Sequence, residues 1–112
     1  MRYRLRPRAK HNLEAIWDYS AATWGIDRAE SYIRQIQTTC ELLAGDAHLG
    51  RACEEIRPGY RKIRSGSHIL FYREAEGDIE IVRILHQEHV RGGNPGIHAG
   101  EEPRSLAKLK FI

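Results

Sequence analysis

The feature that most constrains this chain is a change in the spacing of its apolar residues, from helical in the first half to strand-like in the second. Ala9, Leu13, Ile16, Trp17, Ser20 and Trp24 recur every three to four positions, which lays an apolar or small face along a helix over 9–24. Gly25 suits a helix stop, because it takes left-handed backbone angles without a Cβ clash. Asp27 and Glu30 have the spacing of a capping box, and Ala29, Ile33, Ile36, Cys40 and Leu43 then line one face as far as Gly45. Two helices joined by about three residues must lie side by side and antiparallel, so the spacing predicts a helical hairpin. Cys40 falls on the buried stripe, where a thiol is a packing group rather than a reactive one.

Ahead of the hairpin, YRLR at 3–6 alternates and meets Pro7, as a short strand ending at a turn does. Behind it, residues 45–59 are rich in turn formers and read as a loop. YRKIR at 60–64, HILFYR at 68–73 and IEIVRILH at 79–86 then read as three strands, joined at Ser65-Gly66 and at Glu76-Gly77-Asp78. Such short links make an antiparallel meander. The last strand, apolar on both faces, is expected to be central and covered by the helices. The expected fold class is α+β, ordered β-α-α-β-β-β, with the hairpin packed on a small, mainly antiparallel sheet. Residues 1–87 form the domain. Residues 88–112 read as a flexible tail, because 88–103 hold four glycines and two prolines and little to bury.

Composition excludes several classes. A chain of 112 residues fits one domain. No stretch approaches the ~20 apolar residues of a membrane span, and the charged start MRYRLRPRAK lacks a signal-peptide core, so a cytoplasmic protein is expected. Cys40 and Cys53 have no metal-ligand spacing, and the histidines (His11, His48, His68, His86, His89, His98) are scattered. There is no GxGxxG, P-loop, GxSxG or HExxH. No metal, cofactor or catalytic residue is therefore nominated.

Charge is more informative. Residues 1–10 carry five basic groups and no acid, residues 11–50 six acids against Arg28 and Arg34, and residues 56–73 five basic groups and no acid. That bipolar distribution suits an acidic or polyanionic partner. Arg61, Lys62, Arg64, Arg73 and Arg83 come from three adjoining strands, and several are expected to share a sheet face. Arginine forks there could stabilise phosphate charge in metal-free RNA cleavage or dock an acidic protein.

Four stretches together carry a family resemblance: EAIWDYSAATWG at 14–25, LGRACEEIRPGYRK at 49–62, GSHILFYR at 66–73 and RILHQ at 83–87. In this order and spacing they resemble the ParE branch of the ParE/RelE toxin superfamily, over residues 3 to 87. The resemblance implies the toxin of a type II toxin–antitoxin pair, held inactive by an acidic ParD-like antitoxin whose ribbon-helix-helix end binds operator DNA. The toxin itself then meets DNA only indirectly. For the antitoxin it implies apolar groove candidates Trp17, Trp24, Ile36 and Ile69 and charge partners Arg61, Arg64 and Arg73. Lys62, Arg83, His86 and Gln87 are the candidate contacts to the target.

The superfamily divides into ribosome-dependent mRNA endonucleases of RelE type and ParE-like poisons of DNA gyrase. The nuclease branch commonly has an arginine in a GDYR-like segment. Here that segment is Gly66-Ser67-His68-Ile69, with Ile69 in the arginine's place, and no tyrosine follows Tyr72. Gyrase poisoning without enzymatic activity is therefore the expectation. The alternatives are a nuclease using Arg61, Arg64 and His86, and a non-toxic relative that only binds antitoxin. After Gln87 the chain departs from the RMDxxRHL-like ending usual among ParE relatives, running instead as EHVRGGNPGIHAGEEPRSLAKLKFI.

Overall fold

The computed structural model describes residues 1–88 and residue 90; the expected tail, Glu88 and Val90 apart, lies outside the described residues. Strand β1 (Tyr3–Leu5) leads into helix α1 (Pro7–Trp24), with Pro7 in the first turn, where its missing N–H costs nothing. Helix α2 (Ile26–Gly45) follows after one residue. The hairpin link is thus Gly25 alone, rather than about three residues. Its φ of 97° is open to glycine, its N–H bonds Ala21 O, and its carbonyl accepts from Ala29 N. Because Gly25 already occupies the cap position, the Asp27–Glu30 capping box does not form; Asp27 sits inside the first turn, where its charge suits the helix dipole. At the other end Gly45 is still helical. Asp46 closes α2 through its N–H to Leu42 O and Leu43 O, and its carboxylate accepts from His48 N in a 3₁₀ turn over Ala47–Leu49.

Strands β2 (Arg51–Ala52), β3 (Arg61–Ser65), β4 (His68–Ala75) and β5 (Asp78–His86) complete a five-stranded sheet in the order β1-β5-β4-β3-β2. All pairs are antiparallel except β1 on β5, which is parallel. The α+β expectation holds and the meander is as the spacing indicates, with β5 an interior strand between β1 and β4, the middle strand being β4. The structure adds β2, inside the stretch read as loop. Two residues carry no readable period, and Tyr72 positions the approach to them: its O–H donates to Ala47 O at 2.7 Å and accepts from Gly50 N at 2.9 Å.

The helices bury Ala9, Ile16, Ile36, Cys40 and Leu43 against Leu70, Tyr72, Ile79, Ile81 and Ile84. Burial, with the Glu41 charge adding, pushes the Cys40 thiol up to about 12, as suits an inert packing group. The opposite sheet face is covered by the 53–60 segment rather than by helices. Cys53 and Tyr60 pack there on Phe71 and Leu85, with Ile56, Ile69, Val82 and Val90 around them.

One irregularity re-aims the site residues. Tyr72 pairs with Ile81 but Phe71 with Arg83, so Val82 is an extra residue in β5. Such a bulge resets the alternation of the side chains beyond it. Arg83 faces α1, on the side Ile81 also takes, and donates from Nε to Asn12 Oδ1 at 3.0 Å, while the same oxygen accepts from Ile84 N at 3.2 Å. Beyond it Leu85 packs on the far face and His86 pairs with His68.

Candidate functional site

Alternation along β3 and β4 settles which basic groups meet. Lys62, Arg64 and Arg73 share the sheet face turned away from the helices, opposite or beside Phe71 and Ile69. Arg61 projects to the other side and donates to Gly50 O at 2.7 Å. Arg64 is exposed and folds back onto Gly66 O. Arg73 is held by Glu80 at 2.7 Å, and Arg4 and Arg6 reach the same carboxylate at 3.3 and 3.6 Å. Burial works against the Glu80 charge, but the Arg73 hydrogen bond and the charges of Arg73, Arg6 and Arg4 outweigh it and hold the carboxyl below its ordinary range.

Arg83 does not join the sheet-face group. It is 4% exposed on Asn12, and its pKa falls to about 10, from burial first and then from the Arg8 charge.

The four apolar candidates do not form one groove. Ile36, 1% exposed, is part of the main core and presents no surface to a partner. Ile69 packs in the cluster on the far face, and Trp17 is half-buried on α1. Trp24 is 55% exposed at the end of α1, edge-on to Tyr19 at 5.7 Å, with the Arg28 guanidinium 5.9 Å above its ring.

Trp24 marks a cleft of about 410 Å³ between the closed end of the helical hairpin and the open end of the β4–β5 pair, beside the β3–β4 turn. Its walls include Tyr19 and Trp24 of α1, Arg28, Tyr32 and Gln35 of α2, and the histidines His68 and His86. The histidines are directly paired across β4 and β5, and their rings meet at 87° with centroids 5.2 Å apart. Ser67 N donates to the Tyr32 oxygen at 2.9 Å, and that oxygen and His68 Nδ1 share a hydrogen bond at 2.6 Å. Where the Tyr32 O–H donates, the His68 proton sits on Nε2, which is buried and has no hydrogen-bond partner among the described residues. Burial, and then the His86 charge, lowers the His68 pKa to about 4, so at neutral pH the imidazole is an uncharged dipole. Gln87 N, just past β5, bonds Ser67 O at 2.8 Å and closes this end of the sheet.

Sequence reasoning nominates Trp24, His86 and Gln87 here but misses Tyr19, Arg28, Tyr32, Gln35 and His68. The helical period gives a signal for part of that set: residues 24, 28, 31, 32 and 35 follow one face across Gly25. Among the described residues no group of three or more histidine, cysteine or acidic side chains could hold a metal ion, and no helix is long and apolar enough to cross a membrane.

The profile of the family described as ParE toxin of type II toxin–antitoxin system, parDE, matches residues 3–91. A protein named Toxin ParE1 from Mycobacterium tuberculosis (strain H37Rv) is 53% identical over 87 residues, 77% of this chain and 89% of its own length. Another Toxin ParE1, from Caulobacter vibrioides, is 46% identical over 85 residues, covering 76% of this chain and 88% of that protein. The fold is similar to that of a solved chain from "Chromosomal ParDE TA system from P. aeruginosa", with a TM-score of 0.68 at 23% identity, over 77% of this chain and 95% of that one.

Proposed function

The chain belongs to the ParE toxin family of type II toxin–antitoxin systems, and we propose that it arrests growth by poisoning DNA gyrase unless an acidic ParD-like antitoxin neutralises it. In this reading the free toxin works in the cytoplasm without a cofactor, traps gyrase on cleaved DNA and so blocks replication. It meets operator DNA only through the antitoxin. The domain responsible is residues 1–87.

The observation that carries the reading is the family match, which spans the hairpin and the whole sheet. Two features favour gyrase over RNA. A nuclease built on Arg61, Arg64 and His86 needs those groups to converge on one phosphate, and Arg61 and Arg64 leave β3 on opposite faces. Ile69, at the arginine position of the nuclease branch, is packed in an apolar cluster. The P. aeruginosa chain of similar fold comes from a ParDE toxin–antitoxin system, which supports an antitoxin partner, and Lys62 and Arg64 on the outer face suit acidic residues.

The test is a cleavage assay with purified protein, gyrase, ATP and closed circular DNA, scored for linear DNA after detergent and protease. Protein-dependent linear product is expected. Its absence, with folded protein and an active gyrase control, refutes gyrase poisoning.

A further inference from the structure

The cleft at the closed end of the hairpin has a chemistry that the sheet-face cations lack. Among the described residues its lining holds one arginine and two histidines and no carboxylate, beside the hydroxyl and amide groups of Ser20, Ser31, Ser67 and Gln35. Among the lining residues is His68, 5% exposed, whose Nε2 is buried without a hydrogen-bond partner among the described residues and carries the ring proton when the Tyr32 O–H donates to Nδ1. An unpaired N–H dipole in a low-dielectric floor attracts negative charge more strongly than the same group in water. Its orientation is fixed by the Ser67–Tyr32–His68 chain of hydrogen bonds. Its lining also includes Trp24, 55% exposed, with Tyr19, 39% exposed, edge-on to it. Large apolar groups this exposed, around a concave site whose polar groups are nearly all able to donate, fit an amphipathic partner with an acidic side chain.

We propose that this cleft is the docking site for an acidic side chain of the antitoxin, carried on a segment whose apolar neighbours pack on Trp24 and Tyr19. The proposal rests on the antitoxin-bound toxin described above and specifies where the partner's charge goes. The carboxylate sits between the Arg28 guanidinium and the floor formed by His68. The stacked Trp24 ring holds Arg28 over the opening, so the aromatic wall and the cation act as one anchor. The basic outer face supplies long-range attraction, whereas the cleft supplies the desolvated contact that resists dissociation.

The test is calorimetric titration of the full chain with the antitoxin of the same operon, using variants whose changed side chains are exposed: Trp24→Ala, Arg28→Ala and Arg28→Glu. Leu49→Ala, an exposed apolar change outside the cleft, is the control. Trp24→Ala and Arg28→Ala should each weaken binding about tenfold or more, as buried aromatic and arginine anchors do. Arg28→Glu should weaken it at least about tenfold beyond Arg28→Ala, because it sets a like charge against the incoming carboxylate. Leu49→Ala should bind as the parent does. Parental affinity in all three cleft variants, or equal losses in Arg28→Ala and Arg28→Glu, overturns the cleft assignment and leaves the antitoxin reading standing. If the unaltered chain fails to bind, the antitoxin reading itself falls, and this assignment with it.

Discussion

Acidifying the solution should destabilise the protein through one identifiable side chain, His68. Its pKa is 6.5 in an ordinary setting and about 4 in the fold, where burial and His86 oppose the charged form. Above pH 6.5 both states are neutral and the residue contributes no pH dependence. Between 6.5 and 4 the unfolded chain takes up a proton that the folded chain refuses, so stability falls as pH falls. The two pKa values lie about 2.5 apart, and at about 1.4 kcal/mol each the full loss is about 3 kcal/mol, complete near pH 4. Glu80 occupies a different window. Its depressed pKa stabilises the fold above the ordinary carboxylate range and is lost only as the pH drops through the folded value, below 4.5. Urea unfolding of the full chain across pH 7.5 to 4 measures the sum. His68→Gln, which keeps a carbonyl acceptor for the Tyr32 hydroxyl, should remove the slope between 6.5 and 4.5. If His68→Gln unfolds at all pH values, nitrogen NMR of the unaltered protein decides instead. A His68 ring doubly protonated at pH 5.5, or an unchanged slope in a folded His68→Gln, refutes the reasoning.

Tyr72→Phe strips the hydroxyl that serves both Ala47 O and Gly50 N, and should cost about 2 kcal/mol in urea unfolding, since both groups are buried with it. Asn12→Ala removes the acceptor shared by Arg83 Nε and Ile84 N and should cost about 3 kcal/mol; a loss under about 1 would mean that the bulge does not depend on it. Ile36→Ala should lower stability by about 3 kcal/mol through the cavity it leaves. Unchanged stability with weakened antitoxin binding would return that residue to an interface.

Much of the fold is legible because it rests on local rules. The helical period of 9–24 and 29–43 and the two-residue turn at Glu76-Gly77, where φ is positive at both positions, each specify an element from its own residues. What escapes is whatever depends on contacts distant in sequence. Strand β2 exists because Gly50 is tied to Tyr72, and the second apolar cluster because the 53–60 segment folds over Phe71. That β5 is apolar on both faces is readable, but not that a loop, rather than helices, covers its second face.

The candidate site shows the same limit in a single residue. Counting back from the turn at Glu76-Gly77 without a bulge, as regular antiparallel pairing requires, sets Phe71 against Val82 and His68 against Leu85. Val82 adds one residue to β5, and the observed partners become Arg83 and His86. That shift reverses the alternation beyond Val82: regular pairing would turn His86 to the outer face, and the extra residue turns it to the helix side, where the two imidazoles meet. Arg83 faces the helices in either register, since regular pairing sets it against Leu70. Ionic and aromatic chemistry are thereby separated onto opposite sides of the sheet: Lys62, Arg64 and Arg73 outward, Tyr32, His68 and His86 toward the helices. A partner that only neutralised charge would engage the outer face and leave the cleft open. A partner with both an acidic, apolar-flanked anchor and further acidic residues could occupy both sides, and must wrap around the edge of the sheet to do so.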